Sequence, residues 1–165
     1  MFIGYRYHDR RRVPPLFPFG HGLSYTSFAY SNLAIAPASA EDAVRGVLYK
    51  VSVTVKNTGS RPGKEVVQLY VGERNSRVPR PVKELRHFAK ISLAPGEARS
   101  VGFELGVRDF AHYDVRLHDW VVDSGVFSVL VGGSSQGPLS SDTVNVQLER
   151  RYPPLNRQSM LKDYA

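Results

Sequence analysis

Val47-Leu48-Tyr49-Lys50-Val51-Ser52-Val53-Thr54-Val55-Lys56 alternates between apolar and polar residues for almost its whole length. Val47, Tyr49, Val51, Val53 and Val55 hold every odd position, and Leu48 is the one apolar residue among the even ones. A period of two sends successive side chains to opposite faces of a strand, so one face lies in a core and the other in water. Asn57-Thr58-Gly59-Ser60 then supplies a turn.

The same pattern recurs on both sides. Residues 65–71 place Val67, Leu69 and Val71 on one face, with Val66 and Tyr70 on the other, so this strand is expected to be covered on both sides. A long loop is expected over 72–86, where Pro79 and Pro81 cannot donate to a ladder. Further strands are expected at 87–93, 99–105, 125–131 and 143–149, and an earlier one at 28–36. Pro95-Gly96-Glu97 and the cluster from Gly132 to Pro138 mark turns. Residues 110–123 are less regular and contain the only tryptophan, Trp120. Seven alternating strands without a convincing amphipathic helix predict an all-β, two-sheet antiparallel sandwich.

The flanks differ from this body. Residues 1–27 read as an inter-domain linker arm, 28–149 as the domain, and 150–165 as an extended C-terminal tail with Pro153-Pro154, expected to be truncated. Pro14, Pro15 and Pro18 favour an extended path through the arm. The arm is not polar, however: Phe17, Phe19, Leu23 and Tyr25 need a surface to lie against, whereas a flexible spacer would be rich in Gly and Ser.

Composition narrows the function classes. The chain has 165 residues, enough for one domain with tails, and 42% of them are hydrophobic. It has no cysteine, so disulfides and thiolate metal sites are excluded. The net charge of +7 permits contact with anionic partners, but the basic residues are spread out apart from Arg10-Arg11-Arg12. No nucleic-acid-binding motif accompanies them, and no stretch approaches the ~20 apolar residues of a membrane span. No nucleic-acid or membrane partner is therefore expected.

Nor does the sequence offer a catalytic centre. His8, His21, His87, His112 and His118 stand at no metal-ligand spacing, and no cofactor motif occurs. Asp119 and Asp123 flank Trp120 and could be read as a carboxylate pair beside a sugar-stacking ring. The simpler reading is a core tryptophan at a strand edge with solvated acids around it.

One set of strings resembles a known family. Gly4-Tyr5-Arg6-Tyr7-His8-Asp9, then Pro15-Leu16-Phe17-Pro18-Phe19-Gly20-His21-Gly22-Leu23-Ser24-Tyr25-Thr26-Ser27-Phe28, resembles the joint between the second catalytic domain and the fibronectin type III-like domain of family 3 glycoside hydrolases. The segments 51–59 and 63–71, Arg80-Pro81-Val82-Lys83-Glu84-Leu85 with Phe88, Leu93-Ala94-Pro95-Gly96-Glu97, and Trp120 with Gly125, Phe127, Val129 and Val131 follow in the family's order. Leu155 to Leu161 is similar to the start of a C-terminal extension in some members.

The resemblance implies an immunoglobulin-like, fibronectin type III-like sandwich. It also implies a non-catalytic accessory role in a retaining β-glucosidase or β-xylosidase. The family's Ser-Asp-Trp nucleophile motif does not occur here, and its acid/base carboxylate belongs to another domain. Expected partners are the catalytic domains, with possible self-association through the arm. Phe17, Phe19, His21, Leu23 and Tyr25 on the arm, with Arg80, Lys83 and Glu84 as a polar rim, are the expected contact residues. An autonomous carbohydrate- or surface-binding module is the alternative.

Overall fold

The computed structural model of the protein describes residues 2–137, 139–147 and 150–152. The element order is α1 (Tyr5–Arg11), β1 (Phe28–Pro37), α2 (Ala40–Val44), β2 (Val47–Asn57), β3 (Gly63–Glu73), β4 (Glu84–Leu93), β5 (Ala98–Gly106), α3 (Val107–Phe110), β6 (His112–Asp114), β7 (Asp119–Val122), β8 (Gly125–Gly132), β9 (Ser140–Val146) and β10 (Arg150–Tyr152). Two principal sheets form, in the orders β1-β2-β5 and β4-β3-β8-β9, and β10-β7-β6 makes a third, small one. All the pairings are antiparallel.

The alternation in β2 does what its period dictates. Val51, Val53 and Val55 are buried, Ser52 and Thr54 between them are half-buried, and Lys50 before and Lys56 after them are exposed. They meet Val67, Leu69 and Val71 of β3, Val101 and Leu105 of β5, and Phe127, Val129 and Val131 of β8 in one continuous core. Phe110 closes one end of that core and packs edge-on against Phe127, with ring centroids 5.1 Å apart. The two principal sheets are therefore the two layers of a sandwich.

Strand β3 departs from simple alternation. Val67 through Gly72 are all buried, so both of its faces are covered. At Gly72, a Cβ atom would stand 2.1 Å from the carbonyl oxygen of Val82, so the following loop can lie on the strand only because this residue has no side chain.

The expected loop at 72–86 is shorter, running from 74 to 83. Glu73 still pairs with Phe127, and β4 begins at Glu84, which pairs with Val71. The register shifts between Leu69 and Tyr70, so that Leu69 faces His87 and Tyr70 faces Leu85. That bulge at Arg86 breaks the alternation and hides the strand's first residues from a period-two reading. The irregular segment 110–123 contains the short hairpin β6–β7, too brief to show a period. Arg150–Tyr152 of the expected tail pair with β7. Leu148, Glu149 and residues 153–165, including Pro153-Pro154 and the 155–161 string, lie outside the described residues.

Phe127 is fully buried between the layers. Phe127→Ala is expected to cost about 3–5 kcal/mol in urea unfolding, from lost burial and the cavity left behind. Val126→Thr, next to it on the exposed face, is expected to change stability by less than about 0.5 kcal/mol. Equal effects would contradict the assignment of faces.

Candidate inter-domain contact surface

The N-terminal segment is not a free tether. It is fastened to the outer face of the β4-β3-β8-β9 sheet at several points. In α1, the Tyr5 hydroxyl accepts a hydrogen bond from the Leu85 backbone N–H at 2.9 Å. Arg6 pairs with Glu84 at 3.2 Å, and the Asp9 carboxylate accepts from the Lys83 ammonium at 2.5 Å. Both side chains of that last pair are more than nine-tenths buried. The Tyr5 ring packs edge-on against Tyr70 at 5.7 Å and tilts against Phe19 at 5.6 Å. Together these contacts cover Tyr70, which has no exposed surface. Burial, and then the nearby Tyr5 and Asp9, push the Tyr70 phenol well above its ordinary range, so it stays neutral. Its hydroxyl donates to Gln68 Oε1.

Beyond α1, Arg12 turns the chain in the left-handed region, at φ 55°. The Phe19 carbonyl accepts from the Ser135 backbone N–H at 2.8 Å. Gly20 follows at φ 86°, where any Cβ would stand 2.3 Å from Gln68 Nε2. The arm then runs to Thr26, whose hydroxyl donates to the buried Asn57 Oδ1 at 2.5 Å. Asn57 in turn donates to the Arg61 and Leu93 carbonyls.

Between these fastenings the apolar side chains point outward. Phe17 is 66%, Leu23 98% and Tyr25 90% exposed, and Phe19 and His21 are also exposed. Phe17 and His21 stack on one another with centroids 5.1 Å apart. The five arm residues singled out in the sequence thus share an anchored, solvent-facing segment.

Arg80, Lys83 and Glu84 stand elsewhere. Arg80 donates to Glu73 at 2.8 Å and to the Phe110 carbonyl at 3.1 Å, and its side chain is almost wholly buried. Glu84 receives Arg6, Arg80 and Arg86. Lys83 holds Asp9. These charges tie the loop, α1 and the sandwich together, and their partners within the chain are already in place. Sequence reading did not single out Asp9, Tyr5, Glu73 or Tyr70 as their partners, because nothing local marks a contact across 74 residues.

The possible carboxylate site does not assemble. The Arg108 guanidinium lies 3.1 Å from the centre of the Trp120 ring, and Tyr113 packs against it in a T-shaped contact at 5.5 Å, so one stacking face of the indole is already taken. Asp123 accepts from Arg77 at 2.8 Å, and Asp119 accepts from the Trp120 backbone N–H. An open cleft of about 800 Å³ beside them is lined by Glu73, Arg77, Asp114, Arg116 and Asp123. The Asp114 carboxyl sits below its ordinary range, chiefly because the Arg116 backbone N–H donates to it. That favours the ionised form, whereas a general acid needs a raised value.

Residues 65–135 match the family model of the fibronectin type III-like domain. The chain is 47% identical over 146 residues to thermostable β-glucosidase B of Acetivibrio thermocellus, covering 88% of this chain and 19% of that protein. It superposes on a Bifidobacterium adolescentis GH3 β-glucosidase with a TM-score of 0.79 and 36% identity, covering 88% of this chain and 21% of that one. For a β-glucosidase of Kluyveromyces marxianus the TM-score is 0.82 at 38% identity, covering 92% and 18%. The chain therefore spans about a fifth of the length of its relatives. The sandwich is of the fibronectin type III-like class. Within that class, the chain belongs with the fibronectin type III-like domains of family 3 glycoside hydrolases.

Two predictions follow from the buried groups. If the Asp9–Lys83 pair holds α1 down, Asp9→Ala is expected to speed trypsin cleavage after Arg10, Arg11 or Arg12 by about tenfold or more through local opening. An unchanged cleavage rate would show that α1 is held by other contacts. His112 is buried beside Arg80 and Asp123, and burial first, then the Arg80 charge, lowers its pKa. The unfolded chain then binds more protons than the folded one below about pH 6.5. Stability should consequently fall as pH drops through that value, and His112→Gln should flatten this part of the profile in urea titrations.

Proposed function

We propose that the chain is a non-catalytic accessory module of a retaining β-glucosidase-like hydrolase, seated on the catalytic domains through residues 13–27. The observation that carries this reading is the anchored arm. Exposed aromatics on a segment fastened at both ends are already ordered, so docking them loses little conformational freedom. Patches of this kind attract partners. The relatives are β-glucosidases about five times longer than this chain, which provides for further domains.

Phe17, Phe19, His21, Leu23 and Tyr25 make the contact in this reading. Arg80, Lys83 and Glu84 stiffen its base through the pairs described above. Hydrolysis of the β-glucoside, by a pair of carboxyl groups flanking the sugar, belongs to the catalytic domains. Trp120 is capped on one face by Arg108, which weighs against it as the stacking ring of an autonomous glycan site.

Burying Phe17 and Phe19 contributes about 1.5–3 kcal/mol each when complete. Phe17→Ser with Phe19→Ser is expected to lower the thermal midpoint of the full-length hydrolase by more than that of the isolated chain, where only the Phe19 contact with Tyr5 and the exposed Phe17–His21 stack are lost. Unaltered stability and β-glucoside turnover in the full-length protein would sink the proposal.

A further inference from the structure

Basic residues that are scattered along the sequence are gathered by the fold. Asp9 is pinned to Lys83, which brings the next residue, Arg10, against the 74–83 loop. Arg10 there shares an open cleft of about 630 Å³ with Arg74, Arg77 and Arg80. Val78, Pro79 and Val82 make an apolar side to it, and Glu73 is the one carboxylate in its lining among the described residues. None of the exposed aromatic residues of the arm takes part.

Two of the four guanidinium groups are spent within the chain. Arg80 is buried against Glu73 at 2.8 Å, and Arg77 donates to Asp123 at 2.8 Å, outside the cleft. Arg10 and Arg74 are exposed and have no carboxylate partner among the described residues. Arg10 lies over the Phe2 ring at 4.6 Å. Arg74 donates through Nε to Ser128 Oγ at 3.0 Å, so its two terminal nitrogens remain available. The Ser128 hydroxyl accepts that bond and keeps its own proton for an acceptor. Ser76, also in the lining, accepts from the Val78 backbone N–H and does the same. With Arg80 matched by Glu73 and Arg77 by Asp123, the cleft keeps a surplus of two positive charges beside unspent donors.

We propose that this cleft binds a tetrahedral oxyanion of two charges, a phosphate or sulfate group, either free or carried on a sugar. The terminal nitrogens of Arg74 meet two of its oxygens in a forked contact, the geometry that suits guanidinium to such groups. Arg10 supplies the second charge, and Ser128 and Ser76 donate to the remaining oxygens. The apolar side limits the water around these charges, which strengthens their attraction for the ion. The surplus sets the charge of the ligand. A neutral sugar would leave two like charges facing one cleft, and a single carboxylate would match only one of them.

The test is calorimetric titration of the 165-residue chain with inorganic phosphate, inorganic sulfate and glucose 6-phosphate, with glucose as the neutral control. It is run at fixed ionic strength and about pH 8, where a phosphate group carries two charges. Saturable binding of one anion per chain is expected, with glucose inert. Arg10→Gln with Arg74→Gln is expected to weaken it by about tenfold or more. Lys64→Gln with Lys90→Gln removes the same charge from exposed strand positions outside the cleft and is expected to change it by less than about twofold. Glucose 6-phosphate binding more than about tenfold tighter than inorganic phosphate would support the group carried on a sugar, and equal affinities would support the free ion. Equal weakening in the two double variants would overturn the proposal, because net charge alone would then attract the anion. No saturable binding of any of the three anions, by a chain that circular dichroism shows to be folded, would overturn it as well.

Discussion

Strand β3 must be covered twice. It is one of the two inner strands of its sheet, between β4 and β8, and residues 67 to 72 are buried on both faces. Val67, Leu69 and Val71 face the core shared with the other sheet. Gln68 and Tyr70 face the opposite way and would meet water if nothing lay over them. The N-terminal segment is the cover, so the sandwich and its arm are one packing problem. Burying the Tyr70 ring favours the covered state, and the Tyr70 hydroxyl remains satisfied through Gln68.

The cover is held largely by charge. Asp9–Lys83 is a buried pair at 2.5 Å, and Glu73–Arg80 is another at 2.8 Å. Taking such charges out of water is costly, and their attraction does not always repay it. What they provide here is position. A ring of Lys, Arg and carboxylates can close in few geometries, whereas an apolar helix could slide across a sheet. Glu84 illustrates this, since it receives arginines from α1, the 74–83 loop and β4 itself.

A positioned arm has a functional consequence. An accessory domain that only needed attachment could use a flexible spacer, and its orientation would then be free. Here the connection crosses the sheet in a set path and shows its aromatic side chains outward. The likeness spans about one-fifth of each β-glucosidase relative, the share of one domain within a longer protein.

The seven principal strands were legible in the sequence because β2, β5 and β9 show a local period of two, β8 a short apolar run, and turn residues separate them. The double coverage of β3 was legible from Tyr70 falling opposite Val67, Leu69 and Val71, whereas Val66 on the same face stays exposed. The start of β4 was not, since a bulge at Arg86 breaks its period. The short strands β6, β7 and β10 lack the length to show one. The aromatic arm could be recognised by composition, as Phe17, Phe19, Leu23 and Tyr25 in a proline-rich stretch. Which groups hold it could not. Lys83 and Asp9 are 74 residues apart, and local sequence carries no signal for a contact closed only when two elements meet. Arg80, Lys83 and Glu84 could be seen as charged loop residues. Whether those charges face a partner or one another depends on burial, and burial exists only in the tertiary structure.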